Sequence, residues 1–186
     1  MPSRKKPSSR SRVLLGGAAL AVVGAGVVGT VAANAADSEG ITPAAVSVRG
    51  GDLTQSTHLT LDAATEAAQA AVDAAEKDGR QVSVAVVDRN GNTIVTLRGD
   101  GAGPQSYESA ERKAFTAVSW NAPTSELAKR LEQAPNLKDI PGTLFLGGGA
   151  PVTAKGAPVA GIGVAGAPSG DLDEKYAQAG VAVLGH

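Results

Sequence analysis

The stretch from residue 143 to residue 166 constrains the fold most, because it places three consecutive glycines between two strand-like runs. These runs, 143–146 and 159–164, are rich in the β-branched and leucine side chains that suit buried strands. The glycines at 147–149 can take positive φ and admit a close neighbour, while Pro151 fixes its own φ. We interpret the glycines as a tight hairpin turn, with a ligand-contacting loop as the alternative.

The first 35 residues have the pattern of an export signal. Basic residues lead into an apolar run over 13–31, and the small residues Ala33 and Ala35 fit a cleavage site after Ala35. A membrane anchor is the alternative, because this run approaches the ~20 residues that span a bilayer. Its many glycines and alanines make it weakly hydrophobic, which favours cleavage. We therefore predict a signal peptide over 1–35 and a secreted, extracellular protein, with the Sec and Tat routes both open.

Charge and cysteine content limit the function of the exported part. Five of the 17 Lys and Arg residues precede Asp37, which leaves 12 against 18 Asp and Glu, or about −6. A nucleic-acid-binding protein would need basic charge and is not expected. The chain has no cysteine, so its body is held without disulfides. Iron or haem would have to bind oxygen atoms or the two histidines.

The order of the predicted elements indicates a sandwich fold. Residues 36–57 are small and polar, and we predict that they form a flexible segment before one folded domain over 58–186. Periodicity predicts helices over about 61–78, with Thr60 or Asp62 as the cap, and over 106–120, 124–132 and from 171 onward. It also predicts strands over 81–88 and 93–97, joined by a tight hairpin turn at Asn90 and Gly91, and two or three strands from 143 onward. This order predicts an α/β (α+β) sandwich in which helices pack on an antiparallel sheet of about five strands.

Several short motifs occur in the order and spacing of one family. They are LDAA at 61–64, VAVVD at 84–88 with Gly91, YESAERKAF at 107–115, GGAPV at 148–152, and GIGV at 161–164 followed by Ser169, Gly170 and Asp173. Together they resemble the GlcG/HbpS-like haem-binding family over about 58–185. One departure is Ala165, where many members have serine, which puts in doubt only a side-chain hydrogen bond there.

The resemblance implies a profilin/PAS-like fold, a homo-oligomer for which an octamer is one expected size, and haem and iron as cofactors. The secreted branch is expected to report redox stress to the extracellular part of a membrane sensor histidine kinase in a two-component system. Self-association also agrees with the composition of the helices, because alanine buries little apolar area per residue.

Glu108 and Glu111 are the candidate iron ligands. Three residues apart on a helix, their carboxylates share one side and suit a hard cation. The alternative is that they stabilise the dipole of a helix that begins near Ser106, by ~0.3–1 kcal/mol. The resemblance favours iron, because the secreted branch has an acid-x-x-Glu iron motif at these positions.

Haem requires an axial ligand, an apolar slot and partners for its propionates. The side chains that the sequence offers as ligands, besides hydroxyl groups, are His58, His186, Tyr107 and Tyr176. The resemblance points instead to Thr143, for which an ordinary strand-opening threonine is the alternative. Arg112 and Lys113 are candidate propionate partners, or members of helix-surface ion pairs.

No nucleophile elbow, phosphate loop or histidine metal motif occurs in the sequence, so we do not predict an enzyme. The family admits haem breakdown with iron release, which no residue pattern here indicates. We predict a secreted haem- and iron-binding accessory sensor. The alternatives are a small-molecule enzyme or oxidative-damage sink, and a structural oligomer whose glycine loop packs subunits.

Overall fold

The computed structural model describes residues 47–185. The predicted signal peptide, most of the predicted flexible segment and His186 lie outside this range. The described part of that segment, residues 47–57, is exposed and contains a short 3-10 turn at Gly50–Asp52. No helix within residues 47–185 is long and apolar enough to cross a membrane.

Four α-helices and four strands make up the regular structure of the described range. In chain order they are α1 (Leu61–Lys77), β1 (Ser83–Asp88), β2 (Thr93–Arg98), α2 (Pro104–Trp120), α3 (Thr124–Arg130), β3 (Gly149–Ala154), β4 (Ala157–Ala165) and α4 (Gly170–Ala182). The strands form one antiparallel sheet in the order β2-β1-β4-β3, and helices pack on it. The predicted α/β sandwich is confirmed, with four strands in place of about five.

The prediction of a strand over 143–146 is wrong, and this accounts for the smaller strand count. Leu144 donates its backbone N–H to the side chain of Thr116 on α2 and not to a neighbouring strand. The hairpin turn predicted at 147–149 is also wrong. The turn lies at Lys155 and Gly156, whose φ values are 51° and 78°, as a two-residue connection between antiparallel strands requires.

Helix α1 packs on one face of the sheet together with α4. It begins after Thr60, one of the two predicted caps, whose side chain accepts a hydrogen bond from the Ala63 N–H at 3.2 Å. Its buried side is made of small residues, namely Ala64, Ala67, Ala68, Ala71, Val72 and Ala75. These residues contribute to a core that includes Val84 and Val86 of β1 and Ile162 of β4. The alanine-rich stripe is therefore packed against the sheet and α4 of its own chain.

Helix α2 lies directly on the backbone of β4, on the opposite face. A Cβ atom on Gly163 would overlap the carbonyl oxygen of Ala110, and one on Gly161 would overlap that of Ala114. Glycine on the strand and alanine on the helix thus bring the two backbones unusually close. This close contact fixes the position of α2, which carries most of the candidate site residues.

Candidate functional site

The peptide between Thr143 and Leu144 is held against α2 by two side chains. Arg112 donates from Nη2 to the Thr143 carbonyl oxygen at 2.9 Å, and the Leu144 N–H donates to Thr116 Oγ1 at 2.8 Å. The Thr116 hydroxyl in turn donates to the Arg112 carbonyl oxygen at 2.7 Å. Both polar groups of this peptide are therefore bound by residues one helical turn apart.

The hydroxyl of Thr143 is already engaged within its own turn. It donates to the Ile140 carbonyl oxygen at 2.7 Å, and the Thr143 N–H donates to the same oxygen at 3.3 Å. Pro141 and Gly142 occupy the centre of this turn, and Gly142 has a φ of 79°. Thr143 is only 3% exposed, so a ligand can reach its oxygen only if a neighbouring segment moves.

Apolar side chains flank Thr143 in the sequence. Ile140 is 40% exposed and Leu146 is 57% exposed. The intervening Phe145 is buried and contacts Trp120 edge to face, with ring centroids 5.9 Å apart. The segment therefore combines a buried aromatic anchor with exposed apolar surface on both sides of the threonine.

Glu108 and Glu111 lie on α2 beyond its first turn, because the helix begins at Pro104. The dipole alternative is weakened by this position, since the dipole effect falls off within the first turn. The Glu108 side chain is mostly exposed, whereas Glu111 Oε1 accepts a hydrogen bond from Thr96 Oγ1 at 3.1 Å. No cluster of three His, Cys, Asp or Glu residues is placed to hold a metal within residues 47–185. The pair could supply two of the ligands of a cation.

Arg112 and Lys113 have different environments although they are adjacent. Arg112 is partly exposed, with Nη1 3.8 Å from Glu108 Oε1, so it forms the predicted helix-surface ion pair. Lys113 is buried, and its Nζ donates to Asp173 Oδ2 at 2.7 Å and to the Val164 carbonyl oxygen at 3.0 Å. Of the two candidate propionate partners, only Arg112 is accessible.

The other candidate ligands lie in other surroundings. The His58 ring contacts Asp88 at the end of β1, with Nδ1 3.5 Å from Oδ2, and its Nε2 is 2.6 Å from Ser56 Oγ. Tyr176 is buried against α1, and its hydroxyl donates to Asp78 at 3.0 Å. Tyr107 is exposed on α2, one residue before Glu108. The structure therefore brings Thr143 and Arg112 together. The His58 ring instead contacts Asp88 of β1 and Ser56 of the N-terminal segment.

The glycines at 147–149 pack against their own chain. Gly148 donates its N–H to Glu174 at 3.3 Å, and Gly149 donates to Thr124 Oγ1 at 2.7 Å. Glu174 also accepts hydrogen bonds from the backbone N–H and the hydroxyl of Ser125, in the first turn of α3. A Cβ atom on Gly148 would lie 2.6 Å from the Val164 carbonyl oxygen. The close backbone approach that the glycines indicated is thus an internal contact.

Sequence reasoning missed Thr116 as a member of this site. A weak signal was present, because Thr116 is a polar residue on the otherwise alanine-rich inner side of α2 and lies four residues after Arg112. A threonine inside a helix commonly donates to the carbonyl four residues back. Its second partner, the Leu144 N–H, could not be found from local sequence.

Comparisons with known proteins give consistent results. Residues 59–182 match the model of a family described as "Haem degrading protein HbpS-like". A crystal structure of HbpS is 89% identical, with a TM-score of 0.75, over 76% of this chain and 100% of that chain. A Streptomyces reticuli HbpS double mutant, in which two glutamates three positions apart are aspartates, is 87% identical, with a TM-score of 0.75, over 76% and 97%. A PduOC:heme complex is 28% identical, with a TM-score of 0.64, over 69% and 96%.

Proposed function

We propose, given that this chain belongs to the HbpS-like family of haem-degrading proteins, that it binds haem through the Thr143 segment. The family match over 59–182 is the observation that carries this proposal. The PduOC relative, which was solved as a haem complex, supports it at a lower level of similarity.

Once the segment that covers its hydroxyl moves aside, the residues around Thr143 fit a haem group in three respects. The Thr143 hydroxyl donates its proton to Ile140, which leaves oxygen lone pairs for a metal. Arg112 offers a partly exposed cation for a propionate, and Ile140 and Leu146 offer exposed apolar surface for the ring. Bound haem would supply an iron able to exchange ligands and change oxidation state. His58 is a less suitable ligand, because Asp88 and Ser56 already contact its ring nitrogens.

We propose a separate iron site at Glu108 and Glu111. These are the chain's only two glutamates that are three positions apart. The two glutamates replaced in the S. reticuli double mutant have the same spacing, which supports a role for this pair. Since the pair supplies only two protein residues, water or a second chain would complete the coordination shell.

The proposed setting is outside the cell, as a homo-oligomeric accessory sensor of haem and redox stress. The export pattern over residues 1–35 supports secretion. Modulation of a membrane sensor kinase and release or sequestration of iron are further parts of the proposal, supported by the family resemblance. A second candidate function, haem degradation, is favoured by the description of the family.

Hemin titration tests the proposal directly. We expect the purified chain to give a saturable Soret band, and Thr143→Ala to shift or weaken it. Thr153→Ala, in an exposed threonine of β3, is the matched control and should titrate like the wild type. An unchanged band in Thr143→Ala would remove Thr143 as the ligand, and no band in the wild type would favour a small-molecule enzyme or a structural oligomer. Loss of the band over time with a reductant, together with free iron, would identify haem degradation.

A further inference from the structure

We propose that Thr116 is a positioning residue, which holds the Thr143–Leu144 peptide so that the Thr143 hydroxyl can bind haem iron. This inference rests on the proposed haem function. The segment from 143 to 147 belongs to no strand, so no ladder of backbone hydrogen bonds fixes it. What holds the Thr143–Leu144 peptide is α2, through Arg112 and Thr116. The position of the Thr143 hydroxyl therefore depends on α2, whose residue Thr116 lies 27 positions before Thr143 in the sequence.

The hydrogen bonds of Thr116 give its oxygen a single orientation. Its hydroxyl proton is donated to the Arg112 carbonyl oxygen, so a lone pair faces the Leu144 N–H. Thr116 is fully buried, and water does not compete for either bond. A buried hydroxyl that both donates and accepts a hydrogen bond can define the position of the peptide it binds.

Arg112 cannot play this role alone. Its side chain is 41% exposed and also forms an ion pair with Glu108. A propionate would compete with Glu108 for the guanidinium, and an iron ion would compete with the guanidinium for Glu108. The bond from Leu144 to Thr116 is independent of that competition, because it involves no charged group. Thr116 therefore keeps Thr143 in place when Arg112 turns to a ligand.

The test uses three variants of the full chain. Thr116→Val keeps the shape of the side chain and removes both hydrogen bonds, while Thr116→Ser keeps the hydroxyl. Thr124→Val is the matched control, because Thr124 is also fully buried and its Oγ1 accepts from the Gly149 N–H at 2.7 Å. We expect Thr116→Val to weaken hemin binding by about tenfold and to shift the Soret band. Thr116→Ser should restore both, and Thr124→Val should lower thermal stability without moving the band.

Each outcome decides one proposal. If Thr143→Ala alters the band and Thr116→Val does not, the positioning role is wrong and the haem ligand stands. If Thr143→Ala leaves the band unchanged, the ligand assignment itself fails. Equal shifts in Thr116→Val and Thr124→Val would mean that general destabilisation is the cause, and would overturn the role of Thr116.

Hydrogen exchange of the wild-type chain provides a second measurement, which can be made even if the variants fail to fold. We expect the Leu144 amide to be protected, and to stay protected when hemin is added, since its bond to Thr116 persists. Exchange of this amide at the rate of an unstructured peptide, with or without hemin, would contradict the proposal.

Discussion

The ion pair between Lys113 of α2 and Asp173 of α4 makes the sharpest stability prediction. The two side chains are 6% and 5% exposed, and Lys113 Nζ lies 2.7 Å from Asp173 Oδ2. Replacing Lys113 with Met keeps a long side chain but leaves the Asp173 carboxylate buried without a cation. Breaking a buried pair in this way lowers the free energy of unfolding by about 3–5 kcal/mol. We expect a loss of that size in Lys113→Met near neutral pH.

The loss should depend on pH. Burial raises the pKa of Asp173 above its ordinary value, although Lys113 opposes the rise. Without Lys113 the pKa of the folded state rises further, so the folded variant takes up protons at a higher pH than the unfolded chain does. Protonation relieves the buried charge, and the deficit of Lys113→Met should shrink as the pH falls from neutral towards the ordinary carboxyl pKa of about 4.

Denaturation in guanidinium at pH 5 and pH 8, at one chain concentration, measures both effects. Lys175→Met is the matched control, because Lys175 Nζ lies 2.8 Å from Asp78 Oδ2 in an exposed pair. This control should change stability little at either pH. Similar small losses in the two variants, or a Lys113→Met deficit that is the same at both pH values, would refute the reasoning.

The remaining predictions concern the sheet contact and the iron pair. Gly163→Ala should lower the free energy of unfolding, measured by chemical denaturation, by about 2 kcal/mol or more, because its Cβ would overlap the Ala110 carbonyl oxygen. Gly50→Ala is the control and should have no such effect, because Gly50 has open space around it. Glu108→Gln combined with Glu111→Gln should abolish iron binding in a calorimetric titration and leave hemin binding largely intact. Unchanged iron affinity in that double variant would remove the assignment.

Much of the fold followed from local signals. A cap at Thr60 or Asp62, the hairpin at Asn90 and Gly91, and the order of the helices were predicted, because periodicity and turn chemistry act over a few residues. The last helix was expected from Asp171 and starts with Ser169 as its cap, two residues earlier. Such differences in boundary reflect competing caps of similar strength.

The glycines at 147–149 show where local reasoning ends. A turn and a close contact with a distant segment both require residues without side chains, so the sequence pattern is the same for both. What decided between them was Glu174 and Thr124, polar residues from other elements that bind the glycine N–H groups. Lys113 posed the same difficulty, because a lysine on a helix resembles a surface residue until its partner Asp173 is known.

The site was predicted in part for a related reason. Glu108 and Glu111 were named as candidates because their spacing is local, and Thr143 was named only through resemblance to a family. The contacts that join Thr143 to Arg112 and Thr116 cross about 30 residues of chain, and no periodicity predicts them. Whether these residues bind iron and haem remains a prediction.

A crystal structure of the chain grown with hemin tests the central claim most directly. The account predicts a porphyrin over the segment from Ile140 to Leu146, with Thr143 Oγ1 as the protein atom that coordinates the iron and Arg112 near a propionate. Iron coordinated by His58, or a porphyrin bound away from this segment, would contradict it.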